Sequence, residues 1–475
     1  MQPLPAIYIS ATRKSSGKTV VATGLAAAIS KRIDRLQTFK KGPDYIDPMW
    51  LSSASSAPCY NLDFNTQSKT EIVSLFQHKA SLADFSLVEG NKGLFDGVDL
   101  HGADSNAELA KILGIPVVLV VDAAGMTRGV APLIKGYTSF DAEVQIAGVI
   151  LNNLSGGRHE SKVRNVLEHY TDMEVWGALQ KNQELVIEER HLGLTPDAEL
   201  ERSDRQIDAI RQAIEQQVDV KKVMGSVSRL PVVSSPAHFK NPDPQGQRGE
   251  SEESTLKLGV ARDAAFSFYY ADDLETLRAS GVDIAFFDTL KDSQLPQADA
   301  LLIGGGFPET NAEALSKNLA MHNAIRRFVK SGKPIYAECG GLMYLSRSIT
   351  WQDDLFPMVG CLPVDTVMVS RPVGRGHMEI EPTQHHPWFQ NHPDDCTIPT
   401  ANLCAHEFHY SRIENVDPEI KFAYTVKRGH GVDGERDGLA YGNILASYAH
   451  LRHTEQTPWV NWFLQSISKS YANAA

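Results

Sequence analysis

Short apolar runs alternate with longer amphipathic stretches from the first residues onward. "AIYIS", "LQTFK", "FSLVEG", "PVVLVVD" and "IAGVILN" are separated by amphipathic segments such as Thr19 to Arg32. Strands covered on both faces read as continuous apolar runs, so this rhythm predicts βα units around a parallel sheet. Residues 1–225 are expected to form one such α/β domain. The pattern then breaks over 226–256, where "SSPAHFKNPDPQGQRGESEES" (234–254) is rich in Pro, Ser, Gly and charge. Such a composition cannot build a core, and a linker is expected there. The rhythm restarts with "LKLGVARD", "GVDIAFFD", "ADALLIGGG" and "KPIYAECGG", which predicts a second α/β domain over 257–475. Between about 361 and 450 the runs shorten and turn residues multiply, as in "HMEIEP" and "EFHYSRI", so that segment is expected to be richer in β-structure.

Composition adds exclusions. A chain of 475 residues is too long for one ordinary core, in line with two domains. A net charge of −12 argues against nucleic acid or an anionic membrane as the main partner, while leaving room for a local basic pocket. The five cysteines (Cys59, Cys339, Cys361, Cys396, Cys404) form no CxxC pair and no metal spacing, which fits a reducing compartment. "MQPLPAIYIS" lacks the pattern of a signal peptide, and "IPVVLVV" is too short to span a bilayer. A cytoplasmic protein is expected.

Two stretches carry chemistry. In "ATRKSSGKTVVATGLAAAI", Ser16, Gly17, Lys18 and Thr19 lie between an apolar strand and an Ala/Gly-rich helix. Backbone N–H groups there can hold phosphate oxygens, Lys18 can neutralise them and the Thr19 hydroxyl can reach Mg²⁺. Thr12 stands where the usual phosphate loop has glycine. Acids follow at strand ends: Asp44 and Asp47 in "FKKGPDYIDP", Glu89 and Asp96 in "LVEGNKGLFDG", and Asp122. Ligands of open α/β sheets gather outside the carboxyl ends of strands. Taken singly, Asp44 and Asp47 also suit a turn and Asp122 a helix cap. Far downstream, "YAECGGLMYL" puts Cys339 on a strand–turn–helix, where a helix N-terminus favours thiolate and backbone N–H groups can stabilise an oxyanion. Gly340 follows it, and Gly305 and Gly306 end the preceding apolar run. A nucleophilic cysteine wants a histidine. His406, His409, His450 and His453 are candidates that spacing alone does not separate.

Taken in order, "SSGKT", "FKKGPDYIDP", "VEGNKGLFDG", "AECGGLMYL", "HEFHYSR" and "GNILASYAHL" resemble the cobyrinate a,c-diamide synthase family over nearly the whole chain. The resemblance implies an N-terminal P-loop, dethiobiotin-synthetase-like ATPase domain joined to a C-terminal flavodoxin-like class I glutamine amidotransferase domain. It implies a ligase that amidates the a and c acetates of a corrin or related tetrapyrrole with ATP and glutamine, through an acyl phosphate. Cys339 would attack glutamine and His450 would act as base. Lys18, Thr19, Asp44, Asp47, Glu89 and Asp96 would serve nucleotide, metal and activated carboxylate, with Thr19, Asp44 and Glu89 on Mg²⁺. Lys40 matches the family lysine of the second motif, and Asn152 or Asn153 would meet the adenine. A homodimer is allowed.

Many class I amidotransferases carry a glutamate two residues after the histidine; here Arg452 stands there, which leaves Glu407 as a candidate orienting acid. "VEGNKGLFDG" and "GMTRGVAPLIKGY" are similar to the branch that amidates sirohaem, so sirohaem or sirohydrochlorin is the competing substrate. A partner-switching ATPase shares the phosphate loop but has Lys where this chain has Arg13, and has no use for a Cys/His domain. A catalytically silent glutaminase fold serving as a scaffold is disfavoured by Cys339 and His450.

Overall fold

A computed structural model of the chain describes residues 4–187, 196–227, 256–389, 399 and 401–472. Two compact units emerge, Met1–Arg190 with Asp197–Lys240, and His191–Pro196 with Asn241–Ala475. The expected linker lies outside the described residues except at its ends, 226, 227 and 256. Among the described residues, no helix is long and apolar enough to cross a membrane.

The first unit is built on β1 (Ala6–Ala11), β2 (Leu36–Lys41), β3 (Tyr60–Leu62), β4 (Phe85–Glu89), β5 (Val117–Asp122), β6 (Ile146–Leu154) and β7 (Val175–Gln180). They form a seven-stranded sheet in the order β3-β2-β4-β1-β5-β6-β7, with every pairing parallel. Ile7, Ile9, Leu87, Val118, Val120 and Ile150 are buried in its core, each worth roughly 1.5–3 kcal/mol when fully removed from water. The helix Lys18–Ser30 buries its middle, Val21 to Ile29, and can do so because its side chains are small. A Cβ on Gly24 would fall 2.4 Å from Cγ1 of Ile214, so glycine sets that helix contact. Register aligns Ile9 and Lys40 with Glu89, bringing the carboxyl ends of β1, β2 and β4 together.

The second unit contains β8 (Lys257–Ala261), β9 (Asp283–Phe287), β10 (Ala300–Ile303), β11 (Ile335–Glu338), β12 (Ser348–Trp351), β13 (Asp354–Pro357), β14 (Asp365–Met368), β15 (Gly374–Pro382), β16 (Leu403–His409), β17 (Ser411–Glu414), β18 (Lys421–Arg428), β19 (Arg436–Tyr441) and β20 (Ile444–Ser447). Nine of them form one sheet, β16-β15-β18-β19-β20-β11-β10-β8-β9. The half from β20 to β9 is parallel, as its apolar runs predict, and the half from β19 to β16 is antiparallel. A second sheet, β13-β12-β14-β17, holds four short strands. Between 361 and 450 the described elements are all strands, matching the shift in sequence pattern. The chain is thus α/β in both units, with a parallel sheet first and a mixed sheet second.

Candidate functional site

In the second unit the cysteine occupies a turn between β11 and the short helix Gly340–Leu345. Its backbone sits at φ 45°, ψ −99°, a conformation that costs a non-glycine residue on the order of 1–3 kcal/mol. Tight packing holds it there: a Cβ on Gly341 would fall 2.1 Å from the carbonyl oxygen of Ile303. The Cys339 N–H donates to Ser447 O at 2.7 Å, tying the turn to the end of β20.

β11 and β20 run parallel with Glu338 opposite Ser447, so the chain leaving β20 passes beside the cysteine turn. His450 is buried there, between Cys339 on one side and Glu338 on the other. The His450 Nδ1 to Glu338 Oε2 distance is 3.3 Å. The other carboxylate oxygen of Glu338 accepts from Leu451 N at 3.0 Å and Tyr336 Oη at 2.6 Å, which fixes its direction. Burial pushes the His450 imidazolium down, but the neighbouring Cys339 and Glu338 outweigh this and raise it to about 10. Asp437 clamps the preceding residues, accepting from Ser447 Oγ at 2.7 Å, Tyr448 N at 3.1 Å and Ala449 N at 2.9 Å.

Of the four candidate histidines, His450 is the one placed against the cysteine. His406 pairs with His450 through the backbone, by bonds of 3.2 and 2.8 Å. His409 stacks on Tyr448 at 3.6 Å between ring centroids, and His453 Nδ1 accepts from Val460 N. Glu407 is not the orienting acid: its oxygens accept from His430 N at 2.7 Å and Gly431 N at 2.9 Å. Glu338, the residue directly before the cysteine, faces the imidazole instead. Arg452, at the position where many class I amidotransferases carry a glutamate, is fully buried and pairs with Asp272 at 2.7 Å. Gly306 and Gly340 border one space, since a Cβ on Gly340 would lie 3.1 Å from Gly306 N. A Cβ on Gly305 would fall 2.4 Å from His450 Cε1, so the bare backbone makes room for the imidazole.

In the first unit the loop after β1 ends at Gly17, whose φ of 85° suits glycine, and enters the helix at Lys18. Asn152 Nδ2 donates to Ser16 O at 2.9 Å and occupies the space a Gly17 Cβ would need. Asn153 instead bonds Asp122 Oδ1 at 3.0 Å, and Asp122 pairs with Arg13. Both asparagines expected near an adenine therefore brace the loop and its neighbour.

Thr19 Oγ1 lies 2.9 Å from Glu89 Oε1 and 3.3 Å from Asp47 Oδ2. Lys40 Nζ meets Asp47, stands 3.1 Å from Glu89 Oε1 and donates to Gly90 O at 3.1 Å. Lys18 Nζ is 3.8 Å from Glu89. Burial lowers Lys18, with the Lys40 charge adding to it. Burial also acts to lower Lys40, but Asp47, Glu89 and Asp44 hold its ammonium well above the usual lysine range. Glu89 is raised to about 6 by burial, against the pull of Lys40. Asp44 turns its Oδ1 to the N–H groups of Ile46 and Asp47, leaving Oδ2 3.9 Å from Lys40 Nζ, so Asp47 rather than Asp44 meets Thr19. Asp96 accepts from Gly93 N at 2.9 Å within its own loop.

Oxygen donors of this kind suit a hard divalent cation. Glu89 Oε2 is buried without a hydrogen bond, while Oε1 of the same carboxylate meets the Thr19 hydroxyl that Asp47 also faces, an arrangement a cation would satisfy. Among the described residues, no group of three or more His, Cys, Asp or Glu forms a complete metal cage. Mg²⁺ takes much of its coordination from water and phosphate, so one or two carboxylates suffice.

Comparison with known proteins places these two sites in a family. Residues 5–189 match an AAA domain, and residues 257–458 match the CobB/CobQ-like glutamine amidotransferase domain. The cobyrinate a,c-diamide synthase of Magnetococcus marinus is 42% identical over 96% of this chain and 95% of its own. That of Methanosarcina acetivorans is 36% identical over 99% and 97%, and that of Archaeoglobus fulgidus 36% identical over 98% and 98%. With relatives this similar from end to end, the chain belongs to the cobyrinate a,c-diamide synthase family and is a glutamine-hydrolysing, ATP-binding carbon–nitrogen ligase.

Proposed function

We propose that the chain amidates the a and c acetate carboxylates of a tetrapyrrole, cobyrinate in the first instance, using ATP and glutamine. The observation that carries this reading is the line Glu338–His450–Cys339 at a strained turn, in the same chain as a phosphate loop faced by Lys18, Lys40 and carboxylates.

Cys339 Sγ attacks the side-chain carbonyl carbon of glutamine, and the developing oxyanion is received by the N–H groups about Gly305, Gly306 and Gly340. His450 gives a proton to the departing nitrogen, releasing ammonia and leaving a glutamyl thioester. Water, deprotonated by His450, then cleaves the thioester to glutamate. Glu338 holds the imidazole in the tautomer and orientation both steps need.

In the synthetase site the substrate carboxylate attacks the γ-phosphorus of ATP, and ADP leaves. Ammonia attacks the resulting acyl phosphate at carbon and expels inorganic phosphate. Lys18 and Lys40 neutralise charge on the transferring group. Mg²⁺ held by Thr19, Asp47 and Glu89 would add charge neutralisation on the phosphates. Asp44 and Asp96 are assigned to the carboxylate side, Ser16 and Gly17 to the phosphates. The enzyme is expected to work in the cytoplasm, and a homodimer is compatible with the reading.

The test is a mass-spectrometric assay of purified enzyme with MgATP and glutamine, offering cobyrinate, sirohydrochlorin and sirohaem in parallel. Conversion of cobyrinate to its diamide is the expected result. Amidation of a sirohaem-type ring alone would keep the mechanism and replace the substrate, and failure on all three rings would overturn the reading.

A further inference from the structure

Lys41 ends β2 directly after Lys40, and successive strand residues point to opposite faces. Lys40 is saturated with carboxylates. Lys41 is only 6% exposed, yet among the described residues its Nζ has no ion pair within 4 Å. It donates to Asn91 Oδ1 at 3.2 Å and stands 5.8 Å from the centre of the Phe64 ring. The charges that face it are Asp104, Asp63, Lys92 and Lys40. Both acids are engaged by their own loops: Asp63 accepts from Asn65 N and Thr66 Oγ1, and Asp104 from Val98 N and Asp99 N. Burial pushes the Lys41 ammonium down to about 8, the sign of a cation short of a counter-charge.

The group that receives Lys41 is itself fixed. Asn91 N donates to Asn106 Oδ1 at 3.0 Å, and a Cβ on Gly42 would crowd Asn91 Nδ2 at 3.2 Å. Lys92, the next residue, is exposed and held at φ 40°. "VEGNKGLFDG" thus supplies more than Glu89: its Asn91 and Lys92 stand by a buried cation at the carboxyl edge of the sheet, one residue along from the phosphate-site lysine.

We propose that Lys41 binds a second, non-reacting carboxylate of the tetrapyrrole while the reacting one sits on the Lys40 side. A buried cation without an acid is costly to keep, and an incoming carboxylate repays that cost. A ring bearing several peripheral carboxylates offers one group for phosphorylation and another for anchoring, so the pair Lys40 and Lys41 reads the substrate as a polyacid. This inference rests on the proposed function and assigns a specificity-determining residue within it.

The experiment measures steady-state kinetics of wild type, Lys41→Met, Lys41→Arg and Asn91→Ala with whichever of the three rings the wild type amidates. Lys41→Met should raise KM for the tetrapyrrole about tenfold or more, the effect of losing one charge-assisted bond, with KM for ATP and glutamine unchanged. Lys41→Arg should restore most of the loss. Asn91→Ala should shift the same KM in the same direction, and it serves if Lys41→Met does not fold. A substrate esterified at one non-reacting carboxylate should bind wild type worse and Lys41→Met no worse than the free acid does. Unchanged tetrapyrrole KM in both Lys41→Met and Asn91→Ala, or esterification that weakens wild type and variant equally, would overturn the inference while the function stands. If wild type amidates no ring, the function falls and the inference with it, a result visible before any variant is made.

Discussion

The Glu338 carboxylate lies 3.3 Å from Nδ1 of His450, and Glu338 is the residue immediately before the cysteine. One strand end therefore supplies both the cysteine proposed as nucleophile and the acid that faces its histidine. Glu338→Gln keeps the side-chain volume but removes the charge. Glutamine-dependent turnover should fall by about 10²–10⁴-fold, as when an orienting carboxylate is neutralised, while turnover with ammonium salts stays near wild type. Parallel assays with the two nitrogen sources check this.

The proton on His450 links this site to stability. Its folded value of about 10 exceeds the unfolded histidine value of about 6.5, so the folded state binds that proton more tightly. The contribution is complete below the unfolded value and is lost as pH rises towards the folded one. The difference in melting temperature between wild type and His450→Gln should therefore shrink between pH 7 and pH 10, measured by calorimetry across that range.

Cys339→Ala should abolish glutamine-driven amidation and leave ammonium-driven amidation intact, because only the nitrogen source is removed. Lys18→Ala should eliminate both. Product mass spectrometry with each nitrogen source separates the two variants, and ammonium-driven turnover by Lys18→Ala would contradict the phosphate-loop assignment.

Gly305→Ala places a methyl group 2.4 Å from His450 Cε1. The histidine must move off its line to Cys339, so glutaminase activity should drop by about 10²-fold, as for a misplaced catalytic group. Overpacking should cost about 1–3 kcal/mol of stability without unfolding the unit. Circular dichroism melts and glutaminase rates read the two effects separately.

Arg452→Met leaves Asp272, its partner at 2.7 Å, and the buried Asp273 beside it without their cation. Removing one member of a buried pair typically costs about 3–5 kcal/mol. Denaturant titration should show that loss, and an Arg452→Met, Asp272→Asn double variant should recover part of it.

Much of this was legible because it is written locally. The continuous apolar runs of β1, β4 and β5 mark buried parallel strands, and "SSGKT" marks the turn from strand to phosphate loop. "AECGG" marks the strained cysteine turn in the same way, since flanking glycines permit the close approach to Ile303 and Gly306 that it requires. Less was visible where strands are short: β12, β13 and β14 have four residues each, too few for a period to emerge. The acid for His450 was hidden for a different reason. Reading forward from the histidine meets Arg452, whereas the acid comes from β11 through parallel pairing with β20.

Local sequence was enough to read the chain as α/β in both halves, with a phosphate loop, a cysteine turn and the family motifs. These depend on neighbours a few residues apart, where backbone conformation and burial period are set. Sheet order and register settle that Glu338 rather than Glu407 faces His450, that Asp47 rather than Asp44 meets Thr19, and that among the described residues no acid lies within ion-pair reach of the buried Lys41. Those pairings depend on sheet order and register, which bring distant strand ends within hydrogen-bond reach and which spacing along one chain does not encode.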